Sequence, residues 1–254
     1  MTDLLLSQEA SAAVVTINRP RRHNALTFDM FRRLPALLET AAGLPGVRAL
    51  VLRGAGQRSF SAGADITEFA LVRADADQGA AYDDAVLAVE EAIADFPHPT
   101  IAQIQGYCYG AGCGLALACD VRFAGPAARF AITPAKLGIV YPLRSTKRLV
   151  DLVGPSRAKI ILMSGAELDA RQALACGLID EIADDPHGAV AGFAALLASR
   201  SAITQHATRQ IVQRILDGQS VDDDEQARLR AAALSGPDYA EGVRAFLEHR
   251  PPRF

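Results

Sequence analysis

Residues 105–114, Gln-Gly-Tyr-Cys-Tyr-Gly-Ala-Gly-Cys-Gly, lie between the β-rich stretch 99–104 and the small-residue helical stretch Leu115-Ala116-Leu117-Ala118-Cys119. A chain that turns from strand into helix through small residues leaves backbone N–H groups free at the positive helix terminus, where an anion or oxyanion can dock. A second small-residue turn, Ser59-Phe60-Ser61-Ala62-Gly63-Ala64-Asp65, follows the strand-like Ala49-Leu50-Val51-Leu52 one structural repeat earlier. One such turn is a weak signal; two at matching places make a paired set of donors.

Outward from these turns, Ala13-Val14-Val15-Thr16-Ile17, Ala49-Leu50-Val51-Leu52, Thr100-Ile101-Ala102-Gln103-Ile104 and Val121-Arg122-Phe123-Ala124 read as strands, with helical stretches such as 27–42 and 80–96 between them. That alternation predicts an α/β core and leaves doubly wound and barrel arrangements both open. After about residue 200 the strand signals stop, and 204–216, 222–234 and 239–248 read as helices separated at Gly218 and at Gly236-Pro237. Two units are therefore expected, a core over residues 1–200 and a helical subdomain over 201–254. Three amphipathic helices hold too little core to stand alone, so they should pack on the first unit or on a neighbouring subunit.

The chain has 254 residues, 50% of them hydrophobic, and a formal net charge of −3. That supports a folded core and removes bulk electrostatics as a reason to expect nucleic acid. Cys108, Cys113, Cys119 and Cys176 form no CxxC pair, which argues against a metal site and for reduced, buried thiols. The start, Met1-Thr2-Asp3-Leu4-Leu5-Leu6, lacks a basic region and a long apolar core, and no apolar run is long enough to span a bilayer. A cytoplasmic protein with no membrane partner is the expectation.

Over nearly its whole length the chain resembles the crotonase family of enoyl-CoA hydratases and isomerases. The resemblance rests on Ile17-Asn18-Arg19-Pro20 with Asn24-Ala25-Leu26, on 60–66, on Gly106 through Cys119-Asp120, on Lys136-Leu137-Gly138-Ile139, and on Gly242 to Glu248. It implies a spiral of ββα turns with a C-terminal helical subdomain, a homotrimer or hexamer, and acyl-CoA as the small-molecule substrate. Coenzyme A would enter as part of that substrate, with no separate cofactor.

The same resemblance assigns the N–H groups of Ala64 and Ala111 to an oxyanion hole gripping the thioester oxygen. Side chains larger than methyl would crowd an oxygen that must sit about 2.7–3.1 Å from both nitrogens. Ala111 stands where the family usually has glycine, so its backbone must avoid positive φ or carry strain. Ala25, Ala62, Asp65, Ile66 and Gly110 are placed around the substrate, Asp65 more as a cap of the following turn than as a chemical group. Arg22, with Arg19 and Arg21, would meet the coenzyme A phosphates, and Phe246 in the C-terminal segment would cover the adenine end.

Hydratases of the family carry two water-activating glutamates; here those positions fall on Gly114 and Pro134, neither of which moves a proton. No Asp or Glu occurs between Val121 and Val150, so sliding the register does not restore the second one. The segment 133–142 instead looks like that of the family's malonyl-type acyl-CoA decarboxylases, with Tyr141 at their tyrosine. A phenol is protonated at neutral pH and can donate to a carboxylate or an enolate, although a packing role fixed by Pro142 is the plainer account of it. Glu68, just past the first turn, is the nearest carboxylate in sequence that could replace a missing one, against the plainer role of a solvated helix charge. The resulting expectation is an enzyme forming a thioester enolate, decarboxylase- or isomerase-like. The alternatives are a hydratase or isomerase using Glu68, a non-catalytic acyl-CoA binder, and an RNA binder; the last is disfavoured because 27–42 offers only Arg32 and Arg33.

Overall fold

In the computed structural model, which describes residues 2–254, the strands form two sheets. A six-stranded sheet is ordered β1 (Leu4–Glu9), β2 (Ala12–Ile17), β3 (Ala49–Gly54), β5 (Thr100–Ile104), β7 (Val121–Ala124), β10 (Glu181–Ile182). A four-stranded sheet is ordered β4 (Ser59–Ser61), β6 (Tyr107–Tyr109), β8 (Arg129–Ala131), β9 (Leu168–Asp169). The hairpin β1–β2 and the pair β8–β9 are antiparallel, and the other pairs are parallel.

The helices, in chain order, are α1 (Phe28–Ala42), α2 (Phe69–Val72), α3 (Ala76–Ala94), α4 (Ala111–Ala118), α5 (Pro134–Leu137), α6 (Leu143–Ser164), α7 (Ala170–Ala175), α8 (Pro186–Ala198), α9 (Ala202–Leu216), α10 (Asp224–Ser235) and α11 (Pro237–Leu247). Each repeat thus sends one strand to the first sheet, one short strand to the second and then a helix: β3–β4 before α2 and α3, β5–β6 before α4, β7–β8 before α5 and α6. This is the spiral of ββα turns expected above. The strands of the second sheet went unread in the sequence because three residues are too few to show an alternation.

The first sheet is covered on both faces, as parallel sheets are. Along β2, Ala12 and Val14 join Val51, Ile101 and Phe123 under Val190 and Ala194 of α8. The alternate residues Ala13, Val15 and Ile17 join Leu50, Leu52, Ala102 and Ile104 in the main core. Each Leu, Ile or Phe buried in this way contributes about 1.5–3 kcal/mol.

Two anchors set the helices near the turns. Thr27 caps α1 by accepting from the Met30 N–H at 3.3 Å, and α1 buries Met30, Phe31, Leu34 and Leu38. Tyr82 of α3 stacks on Phe28 at 5.3 Å between ring centres and meets Phe31 and Phe69 edge-on, which fixes α3 against α1. With α3 held there, its C-terminal half lies along α4.

Candidate active site

The first turn follows β4 and is held by four hydrogen bonds. The Ser61 hydroxyl donates to the Asn24 carbonyl at 2.8 Å and accepts from the Gly63 N–H at 3.1 Å. Leu26 N–H donates to Gly63 O and Asp65 N–H to Leu26 O, both at 2.8 Å, so residues 63–65 run beside Leu26 like a short parallel bridge. In such a bridge alternate N–H groups face opposite ways. The N–H of Ala64 faces away from Leu26 and meets no backbone acceptor among the described residues.

Asp65 closes this turn. Its carboxylate accepts from the Thr67 hydroxyl at 2.6 Å and pairs with Arg19 at 2.9 Å, while Arg19 also donates to the Ala25 carbonyl at 2.7 Å. The Thr67 hydroxyl and the Arg19 guanidinium hold its carboxyl below the usual range despite burial. Asn24 pins the same strip from the other side, its amide donating to Ser59 O at 2.7 Å and Ala55 O at 3.0 Å. Ala25, Ala62, Ala64, Asp65 and Ile66 are thereby held as one continuous rim, with Ile66 exposed.

The second turn enters α4 through Gly110, at φ 50°, ψ −122°, a conformation that glycine alone adopts without cost. Ala111 is the first helical residue, its φ is not positive, and its N–H has no backbone acceptor among the described residues. Of the two outcomes foreseen for a non-glycine at 111, Ala111 takes the first and avoids positive φ, and the unusual dihedrals fall on Gly110, which carries them without strain. The two turns touch at Gly63, at φ 92°, where a Cβ would stand 3.3 Å from Ala111 N and 2.7 Å from Tyr109 O. Only a residue without a side chain lets the two turns meet there.

One helical turn beyond Ala111, on the same face of α4, stands Gly114. A Cβ on Gly114 would overlap Oε1 of Glu90 and would lie 3.2 Å from the Tyr141 hydroxyl oxygen. Glu90, from α3, is fully buried; its Oε2 accepts from the Ser145 hydroxyl at 2.8 Å and from Arg148 at 2.9 Å. Arg148 also reaches Glu91 at 3.0 Å. Burial pushes the Glu90 carboxyl up, against the pull of Ser145 and Arg148. The Tyr141 ring is half-buried, and its hydroxyl is driven well above a phenol's ordinary value by burial and then by the Glu90 charge.

Glu90 is the residue that sequence reasoning passed over. Its signal was local: an acid on the apolar stripe of α3, beside Val89 and one turn before Ile93, both fully buried. The remaining sequence candidates lie as follows. A carboxylate oxygen of Glu68 accepts from the Phe28 N–H at the start of α1. Pro134 opens α5 and is half-buried, Arg22 ends an exposed single turn at 20–22, and Phe246 on α11 is 80% exposed. A cavity of about 1360 Å³ opens elsewhere, lined by Asp120, Lys147, Arg209 and Phe254 among others, and none of the residues of the two turns borders it. Among the described residues no cluster of three or more His, Cys, Asp or Glu could hold a metal, and no helix is long and apolar enough to cross a membrane.

The family model for enoyl-CoA hydratase/isomerase matches residues 7–254. The chain belongs to the enoyl-CoA hydratase/isomerase family. It is 34% identical to a 2,3-dehydroadipyl-CoA hydratase of Escherichia coli over 262 aligned positions, covering 100% of this chain and 99% of that one. Among solved structures it superposes on an enoyl-CoA hydratase/isomerase family protein from Hyphomonas neptunium with a TM-score of 0.96 at 35% identity, covering 100% and 97% of the two chains. An enoyl-CoA hydratase/carnithine racemase from Magnetospirillum magneticum gives 0.94 at 33%, covering 100% and 96%. As a member of this family the protein is an acyl-CoA enzyme of the crotonase fold.

Proposed function

We propose that this enzyme binds an acyl-CoA thioester with its carbonyl oxygen between the N–H groups of Ala64 and Ala111 and turns it over through the enolate. The observation that carries this is the close approach at Gly63, which sets two unpaired N–H donors side by side at a helix start. Such donors stabilise charge as it develops on oxygen, and they need no reorganisation at the moment of reaction. The reaction class is isomerisation or decarboxylation, because Gly114 and Pro134 bring no carboxylate on the two positions that hold water in the family's hydratases. Tyr141 serves as the hydroxyl donor to a departing carboxylate or to the enolate. Hydration is the second reading, favoured by the name of the Escherichia coli relative.

Arg22 and Phe246 are carried forward as coenzyme A contacts, with no cofactor beyond the substrate. The helices past residue 201 leave Val212, Ile215, Tyr239 and Leu247 exposed, apolar area suited to a second copy of the chain, which supports a trimer or hexamer. Light scattering on the purified protein checks the assembly. For the reaction, turnover of 3-enoyl, malonyl-type and 2-enoyl thioesters is measured side by side. The isomerase or decarboxylase class is overturned if only the 2-enoyl thioester reacts, with addition of water.

A further inference from the structure

Two buried polar atoms over Gly114, Glu90 Oε1 and the Tyr141 hydroxyl, have no hydrogen-bond partner among the described residues. Native folds leave few such atoms unsatisfied, and a bound water, an ion or a role in a reaction is among the reasons for the exceptions; these two stand together and face the same spot. Both flank the spot where a side chain at 114 would begin, one turn of α4 from the Ala111 donor. Glu90 is also held in a one-sided way: Ser145 and Arg148 both bind Oε2, which fixes the carboxyl and leaves Oε1 turned to Gly114. The absence of a side chain at 114 is what admits it, since any Cβ there would collide with Oε1.

We propose that Glu90 is the proton-transfer group of this site, with Oε1 taking a proton from the carbon next to the thioester carbonyl and returning it to that carbon or to a conjugated one. The inference rests on the oxyanion assignment above. In the forward step the C–H bond breaks, its electron pair moves into the enolate with the charge on the oxygen between Ala64 and Ala111, and an O–H bond forms on Glu90. The return step forms the new C–H bond and restores the carboxylate, so no oxidant or further reactant is needed. A carboxylate thus reaches the acyl pocket from α3, by a different route from the two chain positions expected to supply it.

The groups facing the Glu90 carboxyl are Ser145 and Arg148 from α6, Tyr141 from the preceding loop, Glu91 from its own helix, and Cys113 of α4 with Cys108 behind it, the two thiols bordering Tyr141. Burial outweighs Ser145 and Arg148, so the carboxyl titrates above an ordinary glutamate and the base form grows in on the alkaline side of that raised value.

The test is exchange at C2 of butyryl-CoA in D2O, read by mass spectrometry on the intact protein, with binding measured by calorimetry. Glu90→Gln should lose exchange by about 10²-fold or more. Its residual rate should no longer rise with pH, while butyryl-CoA binding is kept. Exchange within a few fold of the parent, or an unchanged pH profile, overturns the proposal. If Glu90→Gln fails to fold by circular dichroism, Glu90→Asp keeps the pair with Arg148 but withdraws the carboxyl by one methylene, and undiminished exchange in that variant overturns it equally. Absence of exchange in the parent protein with butyryl-CoA bound overturns it too. Failure of butyryl-CoA to bind at all, or indifference of turnover to Ala111→Pro, instead strikes the oxyanion assignment.

Discussion

The two small-residue turns and the corner over Gly114 lie one helical turn apart on α4, yet they are built by opposite means. The turns are backbone devices: Ser61, Gly63, Gly110 and the first residue of α4 shape the chain so that two N–H groups come free. The corner is a side-chain device, assembled from α3, α6 and the loop before α6 around a residue with no side chain of its own. A backbone donor tolerates many side chains but not a lost N–H or a forced φ; a side-chain site tolerates backbone shifts but not a lost oxygen. Substitutions should therefore fail differently in the two regions.

Ala111→Pro should have the largest effect, because it deletes one donor while proline remains welcome at the first position of a helix. Turnover should fall by about 10²–10³-fold with thioester affinity largely kept, as steady-state kinetics beside calorimetry would report. A silent variant would mean that the backbone device is not the one at work.

Tyr141→Phe removes a hydroxyl and keeps the ring. Decarboxylation of a malonyl-type thioester should slow by about 10²-fold if the hydroxyl donates to the reacting group. Thermal unfolding should be unchanged, since ring volume is conserved. Unaltered turnover would return Tyr141 to a packing role and leave the corner to Glu90 alone.

Gly114→Ala sharpens the contrast through stability instead of rate. The added methyl collides with Glu90 Oε1, and overpacking of this kind costs about 1–3 kcal/mol. Urea titration of the variant measures it. A stability equal to the parent's would show that the carboxylate is free to move aside.

Glu68→Gln should do least. Its carboxylate sits at the start of α1 on the Phe28 N–H, where loss of charge costs about 0.3–1 kcal/mol, and the thioester turnover of the variant should match the parent's. A collapse of turnover would reinstate Glu68 as the acid of this site. Asp65, beside it, leaves a trace in pH. Its folded carboxyl titrates below the ordinary 3.8, so its contribution is fully present above that value and fades as pH falls through the lowered one. Asp65→Asn should flatten that part of the stability curve and leave neutral pH kinetics nearly intact.

Much of the spiral and both turns were legible from the chain alone. Strands β2, β3, β5 and β7 announced themselves by short, mostly apolar stretches, and the entry to α4 by its glycines, because these features are set by neighbours within a few residues. The glycines did not say that Gly63, next in the chain to Ala64, would come up against Ala111 N, although they made that approach sterically possible.

What only tertiary structure decided is the company Gly114 keeps. Position 114 alone reads as a place without an acid, and in space the absent side chain is what makes room for one. Glu90 belongs to another helix, and its distance from Gly114 depends on how Tyr82 seats α3 against α1 and on how Ser145 and Arg148 orient the carboxyl from α6. Local propensity shapes a turn, because φ and ψ answer to the nearest side chains; the convergence of helices answers to packing over the whole core, and beyond the acid on the apolar stripe of α3 a single sequence carries no local mark of it.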